Sequence, residues 1–164
     1  MSVNKELPHI FVLPEDDANV QLANEFHKQV DWNRLRRMQV LPAAGGWRKV
    51  LSLFESVHAA EMDRYDYRFM VLLMDFDGDE DRLQEARGAI PQHLTDRTFV
   101  VGALGEPEDL RRAHLGSYED IGTALVQDCR DGTDTTWGHP LLRHNAAEVG
   151  RLREHVRRIL FSSI

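Results

Sequence analysis

Arg68-Phe69-Met70-Val71-Leu72-Leu73-Met74-Asp75-Phe76-Asp77-Gly78-Asp79-Glu80-Asp81 decides the fold, because an unbroken apolar run passes without a spacer into a cluster of acids. A strand that is apolar at every position is buried on both faces, as strands are in parallel sheets covered by helices on each side. Such sheets place their ligands just beyond the carboxyl ends of the strands. The acids therefore stand where a site is expected.

Outward from this stretch, strand-like and helix-like segments alternate. Residues 9–13 are a short apolar run, and Pro14-Glu15-Asp16-Asp17 supplies a turn and an acidic first helical turn. The helix that follows is predicted over residues 17–30, with Leu22, Phe26 and Val30 on one face. Residues 38–41 read as a second strand, stopped by Pro42 and the small-residue turn Ala43-Ala44-Gly45-Gly46. Trp47 opens a helix with Val50, Leu51, Phe54, Val57 and His58 at helical spacing. After the third strand, 69–75, a helix is expected over 80–89 and a fourth strand over 98–104.

The pattern then becomes helical. Gly105-Glu106-Pro107-Glu108 reads as a turn into a helix with Pro at its first position, and residues 118–129 as a further helix. Residues 130–144 are polar and aperiodic, which predicts a loop. Asn145 with Glu148 three residues later resembles a capping box for a last helix, whose apolar stripe is Val149, Leu152, Val156 and Ile159. The prediction is an α/β fold: a mostly parallel four-stranded sheet flanked by helices, with extra C-terminal helices, joined by right-handed crossovers. One domain is expected over residues 1–164, its core at about 8–105 and a helical extension at about 106–164.

Composition narrows the function. The net charge of −7 argues against coating nucleic acid by bulk electrostatics and leaves room for bound cations. One cysteine, Cys129, excludes an internal disulfide and a cysteine zinc cage, so the chemistry falls to Asp, Glu, His and Arg. No signal-like apolar segment and no membrane-length apolar run is present, so a cytoplasmic protein with no membrane partner is expected. A homo-oligomer is compatible with these features.

In a parallel sheet all carboxyl ends share one edge, so Glu15 after the first strand can converge with Asp75 and Asp77 after the third. Asp75 and Asp77 are two apart, and in extended backbone their side chains project to one side. Gathered carboxylates repel one another, and a divalent ion is an economical counter-charge. Gly45 and Gly46, at a helix N-terminus, offer amides that can bind phosphate, with Arg48 and Lys49 beside them.

These residues also carry a resemblance. Val12-Leu13-Pro14-Glu15, then Ala44-Gly45-Gly46 before a helix, then Leu72-Leu73-Met74-Asp75-Phe76-Asp77 is similar to the TOPRIM domain of topoisomerases, bacterial primases, ribosomal RNA maturation nucleases and overcoming-lysogenization-defect (OLD) nucleases. The resemblance covers roughly the first 105 residues. It implies a TOPRIM/Rossmann-like fold and Mg²⁺-dependent (or Mn²⁺-dependent) cleavage of nucleic acid, DNA or RNA. It puts Glu15 in the role of general acid or base, Asp75 and Asp77 as metal ligands, and Asp79 as an auxiliary acid. A stand-alone domain of this kind also fits a non-catalytic subunit partnering an ATPase, as in phage defence. This chain departs from the family in having Asp16 where many members have Gly after the Glu.

Ordinary readings stand beside these. Asp and Gly are common in turns that need unusual backbone angles, Glu15 suits a helix N-terminus, and Gly45-Gly46 suits a tight turn. Arg34, Arg36 and Arg37, with Arg151, Arg153, Arg157 and Arg158, could meet phosphates or simply form solvated faces. Trp47 could stack on a base or pack its helix on the sheet. His114, His139 and His144 match no zinc spacing. An EF-hand beginning at Asp75 fails, since its sixth and twelfth positions are Glu80 and Ala86. The nucleophile motif of haloacid-dehalogenase phosphatases is a minor alternative; it belongs on a first strand with Thr after the Gly, where this chain has a third strand and Asp79.

Overall fold

The computed structural model describes residues 2–161. Strands β1 (His9–Pro14), β2 (Met38–Val40), β3 (Arg68–Leu73) and β4 (Thr98–Val101) form one sheet, all parallel, in the order β2-β1-β3-β4. The register sets Ile10 beside Met38 on one side and Phe69 on the other, and Met70 beside Thr98. The chain moves outward from β1 to β2, then crosses back to build β3 and β4 on the far side. The strand order therefore reverses between β1 and β3, and the crevice beyond their carboxyl ends is the usual ligand position of such sheets.

Helices α1 (Asp17–Lys28), α2 (Trp47–Leu53), α3 (Ala59–Arg64), α4 (Asp81–Gly88), α5 (Pro107–Arg112), α6 (Tyr118–Asp131) and α7 (Ala146–Leu160) complete the chain. A π-helical turn, Phe54–His58, joins α2 to α3 without a break. Alternation along the strands sorts the core. Ile10, Val12, Val71, Phe99 and Val101 pack with Ala23 of α1, Val126 of α6, and Leu152 and Val156 of α7. Phe11, Leu13, Met70, Leu72 and Val100 pack with Val50, Phe54, Met62 and Ala86 on the other face. At about 1.5–3 kcal/mol for each large apolar side chain fully buried, these two layers dominate the stability of the fold. The C-terminal helices thus cover one face of the sheet, and their stripe of Val149, Leu152, Val156 and Ile159 is buried as the spacing predicts.

Three local expectations are corrected. The first helix ends at Lys28, short of Val30, and the 130–144 stretch is partly ordered by the end of α6 and a 3₁₀ turn at Arg143–Asn145. β4 ends as a regular strand at Val101, yet main-chain pairing with the acidic loop continues: Met74 N–H donates to Val101 O at 3.0 Å, Phe76 to Ala103 at 3.2 Å and Gly78 to Leu104 at 2.6 Å. Gly102 makes this approach possible, since a Cβ there would lie 1.8 Å from Met74 O.

The Asn145/Glu148 pair is no capping box. Asn145 Nδ2 donates to Gly102 O at 2.9 Å while its Oδ1 accepts from Gly102 N–H at 3.1 Å, and Glu148 Oε2 accepts from Val100 N–H at 2.9 Å. Arg87 and Arg151 pair with the buried Glu148 at 2.7 and 3.0 Å. These side chains occupy main-chain groups on the open edge of β4, the kind of edge that otherwise recruits foreign strands.

Candidate metal centre

At the reversal point the loops after β1 and β3 are tied together. Glu15 N–H donates to Leu73 O at 2.9 Å, and Glu15 Oε2 accepts from Asp75 N–H at 2.6 Å. Asp16 caps α1, accepting Asn19 N–H at 3.0 Å. The fully buried Asn19 carboxamide gives Nδ2 to Asp16 Oδ1 at 3.0 Å and to Asp75 Oδ1 at 2.9 Å, drawing the two acids together, and its own Oδ1 has no protein partner. Oxygens of Glu15, Asp16 and Asp75 then lie within 4.8 Å of one another.

Such a cluster is electrostatically unfavourable on its own. Asp75 is 5% exposed, and its pKa is pushed up to about 8, first by burial and then by Asp16, Glu15 and Asp77, against the pull of the Asn19 hydrogen bond. Burial also raises Glu15, with Asp16 and Asp77 adding to the effect, while the Asp75 amide and Arg82 oppose it. Hard carboxylate oxygens at this spacing suit a hard divalent cation, and the cluster can hold one.

The acids predicted beyond Asp75 are placed elsewhere. Strict alternation would send Asp77 to the same side as Asp75, but the strand has ended and Asp77 takes a left-handed conformation, φ 48°, followed by Gly78 at 75°. Asp79 N–H closes the turn on Phe76 O at 2.8 Å, with positive φ at both central residues as type I′ turns require. Asp77 Oδ2 meets Arg82 Nη1 at 3.1 Å, outside the three-acid cluster. Asp79 is exposed and accepts Asp81 N–H at 3.0 Å, a local role at the start of α4. A left-handed non-glycine residue costs about 1–2 kcal/mol. An ion pair on a carboxylate as exposed as Asp77 returns about 0–1 kcal/mol, so the arrangement is close to balance.

The phosphate-binding expectation is also revised. The amides of Gly45 and Gly46 both donate to Glu15 O, at 2.8 and 3.2 Å. These bonds, and the positive φ of both glycines, lock the turn after β2 onto the loop after β1. Lys49 folds back beside Gly45, its Nζ 3.7 Å from where a Cβ would stand. Arg48 is exposed, lies 4.4 Å from the Trp47 ring centroid and pairs with Glu85 at 3.4 Å. Arg82 lies 4.5 Å from the same ring and donates through Nη1 to Asp75 O at 2.9 Å.

Asp16, Asn19 and Arg82 complete the site and were not read from the sequence as site residues. The signal for Asn19 was available: it falls in the stripe Asn19, Leu22, Ala23, Phe26, a polar residue on a face otherwise apolar. His114, His139 and His144 stand outside the three-acid group; His144 packs edge-on against Phe76 at 5.0 Å and His139 Nδ1 accepts from Leu141 N–H at 3.1 Å. Two of the C-terminal arginines are engaged within the fold, Arg151 on Thr95 O, Thr98 O and Glu148, and Arg153 on Asp134. Among the described residues no helix is long and apolar enough to cross a membrane. No family model, no curated protein and no solved structure matches the chain.

Proposed function

We propose that the protein is a TOPRIM-like, Mg²⁺- or Mn²⁺-dependent enzyme that cleaves nucleic-acid phosphodiesters. The observation that carries this reading is the gathering of Glu15, Asp16 and Asp75 within 4.8 Å where the strand order reverses, with Asp75 buried. When bound, the ion supplies positive charge for the scissile phosphate. Glu15, fastened through Oε2 to the Asp75 N–H at the edge of this group, would exchange a proton with water or with the leaving oxygen. Asn19 fixes the relative positions of Asp16 and Asp75, and Arg82, which donates to Asp75 O, would bring positive charge to the nucleic-acid backbone, with the exposed Arg48 and Lys49 as further phosphate contacts.

The second reading, a metal-binding subunit that works with a partner ATPase and does not itself cut, draws on the position of Asp77, which is paired with Arg82 and not with Asp75. Incubation with plasmid DNA and labelled RNA in Mg²⁺ or Mn²⁺, beside Glu15→Gln and Asp75→Asn, separates the two. Metal-dependent cleavage lost in both variants supports the enzyme. Cleavage that survives both substitutions contradicts the site, and metal-induced stabilisation without cleavage supports the subunit.

A further inference from the structure

The pair Asp77–Arg82 has features that a plain surface ion pair does not need. Arg82 is the second residue of α4, its side chain is 13% exposed, and it is restrained in two ways. Nη1 donates to Asp75 O at 2.9 Å, and the guanidinium lies 4.5 Å from the Trp47 ring centroid. Asp77 is the exposed partner: its side chain is 57% exposed, and it sits with Gly78 in a turn whose backbone is left-handed. Of the two, only Asp77 can leave without unpacking a helix; its departure opens the turn that Asp79 N–H closes on Phe76 O. In an extended conformation it would follow the alternation of β3 and project toward Asp75.

We infer that Arg82 is a positioning residue that withholds Asp77 from the metal centre, and that a phosphate oxygen arriving at the site takes the place of Asp77 on Nη1 and releases it to join Asp75. This inference rests on the metal-centre reading. Arg82 stays where Trp47 and the Asp75 carbonyl hold it, so the same donor serves first the carboxylate and then the phosphate. The fourth carboxylate is thereby added when substrate is present, and the repulsion it would bring to Glu15, Asp16 and Asp75 is absent from the resting site.

The test uses Mn²⁺ alone as the probe, titrated by calorimetry or electron paramagnetic resonance in the absence of nucleic acid, on wild type, Asp75→Asn, Asp77→Asn, Arg82→Gln, Arg82→Lys and the Asp77→Asn/Arg82→Gln double variant. Thermal melts verify that each variant is folded. Arg82→Gln is expected to bind Mn²⁺ about three- to tenfold more tightly than wild type, because Asp77 is free to join. Asp77→Asn alone is expected to change the affinity less than twofold, Arg82→Lys to restore near wild-type affinity, and the double variant to lose the gain. With inorganic phosphate added at saturating concentration, Asp77→Asn becomes weaker than wild type.

A gain that persists in the double variant reflects removal of a positive charge from the neighbourhood and overturns the inference. So does an Arg82→Gln affinity equal to that of wild type, or an Asp77→Asn loss without phosphate as large as that of Asp75→Asn. If wild type binds no Mn²⁺ up to millimolar concentration, the metal-centre reading fails and the inference fails with it, whereas tight wild-type binding with no effect of Arg82 removes the inference alone.

Discussion

Glu15 Oε2 accepts the main-chain N–H of Asp75 at 2.6 Å, so the acid that follows β1 is fastened to the backbone that follows β3. One carboxylate therefore bridges the loops and adds its charge to the acidic cluster, and substitutions can divide the two. Glu15→Gln keeps an acceptor for the Asp75 amide and is expected to melt within a few degrees of wild type. Glu15→Ala removes that acceptor and is expected to lose about 1–3 kcal/mol in urea unfolding. Both should weaken Mn²⁺ binding about tenfold or more. Equal stability of the two variants would show that the 2.6 Å bond does not join the loops.

Asp75 gives the metal-free protein a pH dependence of defined sign. Its pKa is about 8 in the fold and near 3.8 when unfolded, so between these values the folded state holds the extra proton. Stability is greatest below the lower value and declines as pH rises toward and through 8, by at most about 1.4 kcal/mol per pH unit for one group. The raised Glu15 acts in the same direction. Between pH 7 and 8.5 His9, which is buried, and the half-buried His58, His144 and His155, whose pKa values are all lowered by desolvation, are neutral and do not interfere. Melting temperature should fall across this window, and Asp75→Asn should flatten the fall. A wild-type melting temperature that rises with pH contradicts the placement of Asp75.

Metal binding should show the opposite trend. The ion competes with the Asp75 proton, so stabilisation by Mg²⁺ or Mn²⁺ is expected to grow from pH 7 to 8.5, with proton release measurable by calorimetry in buffers of different ionisation enthalpy. Asn19→Leu removes the hydrogen bond that lowers the Asp75 pKa, and it should move this profile to higher pH. An unshifted profile would mean that Asn19 serves packing alone.

The edge of β4 offers a control remote from metal chemistry. Glu148→Ala strands the Val100 amide and leaves the partly exposed Arg87 and Arg151 to solvent, at a cost of about 1–3 kcal/mol. Asn145→Ala leaves the Gly102 N–H without its acceptor and removes a donor from Gly102 O, and should cost about 1–3 kcal/mol. Urea unfolding reads both losses. A cost below about 0.5 kcal/mol for either would show that these side chains merely rest on the strand.

The legibility of the chain follows from how local each signal was. The 69–74 run and its alternating partners in β1 are set by burial on two faces, and a parallel sheet follows from the residues themselves. Glu15 and Asp75 were legible because they lie one and two residues past the ends of β1 and β3. Asp77 was misplaced because alternation was carried past the end of β3, although Asp77-Gly78 is the dipeptide that favours a type I′ turn. Asn145 and Glu148 have capping-box spacing, yet tertiary contact with the β4 edge claims both side chains. The Gly45 and Gly46 amides looked open because their acceptor, Glu15 O, is 30 residues away in sequence. Arg82 and Trp47 meet only through the fold, and no spacing announces them.

The central claim is that a divalent cation sits among Glu15, Asp16 and Asp75. Anomalous diffraction from crystals grown with Mn²⁺ tests it directly. The account predicts a peak at coordination distance, about 2.0–2.3 Å, from oxygens of Asp75 and at least one of the other two acids, absent from Asp75→Asn crystals. A well-occupied Mn²⁺ elsewhere on the molecule with this cluster empty, or a peak unchanged in Asp75→Asn, would contradict it.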